Sequence, residues 1–152
     1  GGYRLYTNNT HTSGVTMGAG AGAWVAVSDS TKKRNIKLAD TKTILENFSA
    51  LPIKEWEYKS EEKGIKHYGP MAQDFHAAFG VGPDDKHIAT VDADGVALAA
   101  IQGLNEKVES GKQKAERRIE MLEAENTELK QSVNDLKKLV QTMNDKLNGG
   151  AQ

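Results

Sequence analysis

The sequence predicts an α+β fold. A small globular unit of short strands and helices is followed by a long C-terminal helix in a parallel coiled coil, and preceded by a β-structured N-terminal end. Three observations carry this reading. Residues 119–147 repeat apolar side chains with a seven-residue period. Residues 40–96 interleave two helical apolar patterns with short alternating stretches. Residues 1–27 are rich in Gly, Thr, Asn and Ala, almost free of charge, and contain strand-like segments.

In chain order, Tyr3-Arg4-Leu5-Tyr6-Thr7 reads as a short strand and Asn8-Asn9 as a turn. Gly18-Ala19-Gly20-Ala21-Gly22-Ala23 alternates two tiny residues, which suits close backbone approach in a thin β-structured shaft or, more simply, a flexible linker. The strand-like Trp24-Val25-Ala26-Val27 that follows weakens the linker reading. A phosphate-cradling loop is not expected, because no Lys-Ser/Thr pair follows the glycines. At Ser28 the composition changes sharply to Ser28-Asp29-Ser30-Thr31-Lys32-Lys33-Arg34-Asn35-Ile36-Lys37-Leu38, a candidate boundary.

Asp40 can cap a helix whose apolar face is Ile44, Leu45, Phe48 and Leu51 and which stops at Pro52. Ile53-Lys54-Glu55-Trp56-Glu57-Tyr58 alternates as a strand. Glu61-Glu62-Lys63-Gly64 turns the chain, and Ile65-Lys66-His67-Tyr68 pairs back as a hairpin. Pro70 sits where a second helix begins; Met71, Phe75, Ala78 and Phe79 form its face and Gly80 ends it. His87-Ile88-Ala89-Thr90-Val91 reads as a last short strand, and Asp92-Ala93-Asp94-Gly95 as a tight turn and helix cap.

Residues 97–147 read as helix. Ile119, Asn126, Val133, Val140 and Leu147 occupy a positions, and Leu122, Leu129, Leu136 and Met143 occupy d positions, over four heptads. Upstream, Ile101, Leu104, Val108 and Ala115 fit a register offset by four, a stutter near Gly111. A lone amphipathic helix is the weaker alternative: the stripe is narrow, and about 43 Å of helix would overhang so small a domain. Arg118 with Glu123 and Glu125 with Lys130 form g-to-e pairs of opposite sign, which favours parallel chains. Asn126 at an a position fixes register and by itself leans towards a dimer.

These assignments divide the chain into residues 1–27, 28–96 and 97–152. The 152 residues carry 20 Lys+Arg against 21 Asp+Glu, a net charge of -1, which gives no reason to expect nucleic acid or an anionic membrane as partner. No apolar run is long enough to cross a bilayer and no secretory signal opens the sequence. The absence of Cys excludes disulfides, thiolate metal sites and a cysteine nucleophile. His11, His67, His76 and His87 show no paired spacing on one helix face, so no metal and no cofactor is expected. With 6% aromatic residues and 38% hydrophobic, the core is thin, and oligomerisation becomes a source of burial.

The segment from Ser28 to Lys33 is the one candidate for chemistry. A serine hydroxyl attacks an amide only if a base takes its proton. A lysine amine can do so when desolvation or nearby positive charge holds it neutral, and Lys32 and Arg34 flank Lys33. From spacing alone the simpler reading is a turn at Ser28-Asp29 with solvated lysines.

Ser28-Asp29, then Lys33-Arg34-Asn35-Ile36, resembles the opening of the intramolecular chaperone domain at the C-terminus of endosialidase tailspikes and other phage fibres, the S74 peptidase family. Ile53-Lys54-Glu55-Trp56-Glu57-Tyr58 is similar to a family strand. His67-Tyr68-Gly69-Pro70-Met71-Ala72-Gln73-Asp74 resembles its His-x-Gly-x-x-Ala-Gln-Glu motif, with Asp74 in place of Glu. Val91-Asp92-Ala93-Asp94-Gly95-Val96-Ala97-Leu98 resembles its final strand-turn-helix. Ser30-Thr31 departs from the family's usual Arg-Arg or Arg-Asn. Residues 1–23 resemble the end of a bacteriophage or prophage tail fibre.

The resemblance implies a homotrimer that templates folding of the upstream fibre segment of the same chain and then cuts itself off, a step in virion assembly. The precursor would fold in the bacterial host cytoplasm. By the same resemblance Ser28 is the nucleophile and Lys33 the general base, with the cut beside Ser28, at Val27–Ser28 or alternatively Ser28–Asp29. His67 matches a position linked with cleavage; a structural, hydrogen-bonded His in a hairpin is the equal alternative. Gln73 is expected to brace the fold. The competing reading of the whole is a non-cleaving trimerisation and attachment module that stays on the fibre.

Overall fold

A computed structural model describes residues 1–11 and 13–149. The chain forms an α+β structure with short antiparallel strands and a long C-terminal helix. Its contacts fall into two compact units, one ending at Ala39 and the other beginning at Asp40.

The first unit is a three-stranded antiparallel sheet of β1 (Tyr3–Tyr6), β2 (Gly14–Met17) and β3 (Val25–Ala26), in that order. Tyr3 faces Met17 and Tyr6 faces Gly14; Val15 faces Ala26 on the other side. The middle strand was not evident from sequence: four residues opening on Gly are specified by having a partner on each side rather than by their own composition. The turn at Asn8-Asn9 is present, closed by the His11 N–H donating to the Asn8 carbonyl at 3.3 Å. The Gly-Ala run is neither shaft strand nor open linker. It turns the chain from β2 to β3, with the Ala21 N–H on the Gly18 carbonyl at 3.1 Å.

In the second unit, α1 (Thr41–Ala50) is capped by Asp40, whose carboxylate accepts from the Thr43 N–H at 3.1 Å and the Thr43 hydroxyl at 2.7 Å. Strands β4 (Lys54–Trp56) and β5 (His67–Gly69) pair antiparallel, with Trp56 opposite His67, across a loop longer than a tight hairpin. The second helix, α2 (Ala72–Phe79), ends at Gly80 in the left-handed conformation (φ 62°), where glycine carries no Cβ penalty. Leu51, Phe75 and Val96 form the core, with Ile44, Phe79, Val81 and Ile88 packed around them.

The expected strand at residues 87–91 is absent, and so is the turn at residues 92–95: α3 runs unbroken from Thr90 to Gly149. No strand edge pairs with residues 87–89. Asp84 instead holds the segment in a local turn, accepting the Lys86 and His87 N–H groups at 2.8 and 2.9 Å. The Asp92 and Ala93 N–H groups both reach the Ala89 carbonyl, so the helix starts before the Asp-rich tetrapeptide and absorbs it. The helix also continues through Gly111.

One glycine sets how closely α1 approaches α3. A Cβ on Gly103 would fall inside van der Waals contact of the Thr41 carbonyl, and 3.2 Å from the Leu45 Cβ. The approach is tied by the Thr41 hydroxyl donating to Glu106 at 2.9 Å. Farther along α3 the expected a and d residues Ile119, Leu122, Leu129, Val133, Leu136, Val140, Met143 and Leu147 are exposed in the single chain.

Candidate self-cleavage site

Strand β3 is followed at once by the segment that carries the candidate chemistry. The Val27 N–H donates to the Gly14 carbonyl at 3.4 Å, so the bond before Ser28 leaves the sheet at an anchored point. Residues 30–32 form one 3₁₀ turn capped by Asp29. The Thr31 N–H donates to Asp29 Oδ1 at 2.8 Å and the Thr31 hydroxyl to Oδ2 at 2.8 Å. The Lys32 N–H donates to the Asp29 carbonyl and the Lys33 N–H to the Ser30 carbonyl, each at 3.1 Å. This turn doubles the chain back, and Lys33 Nζ donates to Ser28 Oγ at 2.9 Å. Asn35, with φ 55°, then redirects the backbone.

The structure therefore brings Ser28 and Lys33 within hydrogen-bond reach, the separation a nucleophile and its base require. Residues 27–33 are exposed in the single chain. Cations crowd the segment: Lys32, Lys33, Arg34 and Lys37 stand against one carboxylate, Asp29. The hydrogen bonds from Thr31, then the charge of Lys32, hold the Asp29 carboxyl below its ordinary value. It is ionised at neutral pH, with Thr31 donating to each of its oxygens.

His67 lies in the other unit. Its Nε2 pairs with Glu61 Oε2 at 2.8 Å. Its ring stacks on Trp56, with centroids 4.7 Å apart and planes at 25°, and meets Tyr58 edge-on at 5.3 Å. Beside it Glu55 accepts from the Lys66 ammonium at 2.7 Å and from the Tyr68 hydroxyl. Lys66 first, then Tyr68, lowers the Glu55 carboxyl from its ordinary value. Trp56 Nε1 is buried and has no hydrogen-bond partner among the described residues. Gln73 is exposed and lines, with Trp56, Tyr58, Met71 and Ile88, a cleft of about 370 Å³. Asp74 is paired with Lys54 at 2.8 Å, so the position where the resembling motif carries Glu holds a salt bridge between α2 and β4.

Two participants were missed from sequence. Thr31 is one; its signal is the Asp-x-Thr spacing, which favours a local side-chain-to-backbone turn. Glu61 is the other; it was read only as a turn residue, and no spacing rule ties it to His67. The described residues contain no group of three His, Cys, Asp or Glu that could hold a metal ion, and no helix long and apolar enough to cross a membrane.

Residues 28–81 match the family Peptidase_S74, described as the chaperone of endosialidase. The match opens on Ser28 and takes in the segments around Lys33, Trp56 and His67; it ends at Val81, before the residues that open α3. No curated protein and no solved structure matches the chain.

Proposed function

We propose that this chain is the intramolecular chaperone of a phage or prophage tail fibre: it assembles as a parallel homotrimer, templates folding of the fibre segment upstream, and releases itself by Ser-Lys autoproteolysis. The observation that carries the reading is Lys33 Nζ at 2.9 Å from Ser28 Oγ, at the first residues of the matched chaperone domain.

The chemistry follows from that pair. With its amine neutral, Lys33 accepts the Ser28 hydroxyl proton as Oγ bonds to the Val27 carbonyl carbon. Collapse breaks the Val27–Ser28 C–N bond, and the departing Ser28 nitrogen takes the proton back from Lys33. Water then hydrolyses the resulting ester, leaving a Val27 carboxylate and a new Ser28 N-terminus. Attack on the preceding carbonyl closes a five-membered ring, whereas attack on Ser28's own carbonyl closes a strained four-membered one, so Val27–Ser28 is the favoured bond. Holding the hydroxyl beside the carbonyl supplies the proximity advantage of an intramolecular nucleophile.

In the single chain Lys33 donates to Ser28, whereas a general base must accept from it. Exclusion of water around the pair on assembly would favour the neutral amine, so cleavage would follow completed folding. Threading three chains into one β-structured shaft is slow because its contacts are non-local. A C-terminal coiled coil fixes the chains in register and raises their effective concentration. Cleavage would then discard the template and leave the fibre kinetically trapped.

Exposure of Ser28 and Lys33 in the single chain is the observation that favours the alternative, a trimerisation and attachment module that never cuts. Intact-mass spectrometry of the wild type beside Ser28→Ala and Lys33→Arg decides between them. Cleavage confined to the wild type is the expected result. Cleavage that survives in Ser28→Ala, or proceeds at the same rate in Lys33→Arg, overturns the dyad, since arginine stays protonated and cannot act as base.

A further inference from the structure

The Asp29 carboxylate adjoins the nucleophile and lies four residues before Lys33 in a run that also holds Lys32 and Arg34. An ionised carboxylate in such surroundings pairs with a cation when its oxygens are free. Were it to take the Lys33 ammonium, the ion pair would draw Nζ away from Ser28 Oγ and stabilise the proton that a base must give up. In the structure the Asp29 carboxylate is turned into its own loop instead. Thr31 donates to both oxygens, its N–H to Oδ1 and its hydroxyl to Oδ2, each at 2.8 Å, while Lys33 Nζ is on Ser28.

Resting on the autoproteolytic reading, we propose that Thr31 is a positioning residue for cleavage: by holding both Asp29 oxygens in its own turn it orients the carboxylate away from the Lys33 amine and leaves that amine to Ser28. The backbone bond from Thr31 shapes the turn and would be made by any residue but Pro. The hydroxyl is the part that only Thr or Ser supplies at this position, and it holds the oxygen that the backbone leaves open.

The test uses the full chain. Thr31→Val keeps the side-chain shape and the N–H but frees Oδ2. Cleavage followed by intact mass should slow roughly three- to tenfold, the range expected for one lost hydrogen bond. Thr31→Ser should cleave at the wild-type rate. Adding Asp29→Asn to Thr31→Val should restore the rate, because a neutral amide cannot hold the ammonium. An unchanged rate in Thr31→Val, or a slow one that Asp29→Asn fails to restore, overturns the proposal; the latter would mean that the hydroxyl only shapes the turn. A second readout does not depend on cleavage. In Ser28→Ala protein, acylation of Lys33 by an amine-reactive ester, mapped by peptide mass, should slow with Thr31→Val and recover with Asp29→Asn. Equal Lys33 reactivity in all three proteins overturns the proposal. A wild type that is never cleaved refutes autoproteolysis by itself, and the acylation result still decides the role of Thr31.

Discussion

The first turns of α3 bury Val96, Ala99 and Ala100, at 7%, 7% and 4% exposure, whereas from Ile119 to Leu147 the apolar residues of the same helix stay between 39% and 77% exposed. The early part buries one face within the chain, where Val96 packs with Leu51 and Phe75, while Leu98, Ile101, Leu104 and Val108 stay exposed. The later part presents a stripe that no described element of this chain covers. Asn126, within that stripe, turns its amide back to the Leu122 carbonyl at 3.0 Å. What separates the two parts is the sequence period. Near Val96 the buried positions follow the neighbours supplied by α1 and α2; beyond Ile119 the exposed apolar positions recur with a heptad period.

Substitutions should therefore act differently on the two parts. Phe75→Ala should have the largest effect on the folded unit, about 3–5 kcal/mol, because it opens a cavity in a core with few other large buried side chains. Denaturant unfolding would measure it, and a loss under about 1 kcal/mol would mean that the core is not where the unit's stability resides. Gly103→Val comes next, at about 3 kcal/mol, since the new side chain meets the Thr41 carbonyl, a backbone atom that cannot swing aside. The same unfolding curves report it.

Leu129→Ser together with Leu136→Ser should change the unfolding free energy of the isolated unit by less than about 0.5 kcal/mol, as expected of exposed positions. Sedimentation equilibrium should nevertheless show the trimer lost. If the mass is unchanged, the stripe does not hold the chains together. The smallest effect should come from acid, and the β4–β5 pair reports it. The folded Glu55 carboxyl is lowered by Lys66 and Tyr68. Its contribution is thus fully present above the unfolded glutamate value, about 4.3, and is lost as pH falls through the lower folded value. Amide protection factors in β4 and β5, taken against the intrinsic exchange rate at each pH, should fall at pH 3 relative to pH 5 in the wild type, and the fall should shrink in Glu55→Gln.

Much of the second unit was legible because its signals are local. Asp40 before an apolar helical pattern, Gly80 after one, and an alternating pair about Gly64 each specify their element through nearby residues. Segment 87–91 misled because β-type composition requires a partner edge, and Asp84 claims the amides that such an edge would have used. Asp92-Ala93-Asp94-Gly95 misled because turn residues are tolerated within a helix whose first turn is already fixed by Ala89. At the site, spacing alone favours a turn with solvated lysines, and the pairing of Ser28 with Lys33 is raised only by the resemblance of the segment to the family's opening. Glu61 was out of reach of such reasoning, since its approach to His67 depends on the course of the whole loop between β4 and β5.

The continuity of α3 has a kinetic consequence. A free segment with the composition of residues 112–147 would have to nucleate its own helix, an event with a penalty factor of about 10⁻³. Here no cap or break divides that segment from the turns held against α1 at Gly103. Helix made when the small core closes can propagate outward residue by residue. In the proposed assembly chains would then meet as preformed rods whose stripes are already in phase. The core would act as a starter for that coiled coil, and damage to it should slow the encounter of chains even where every heptad residue is intact.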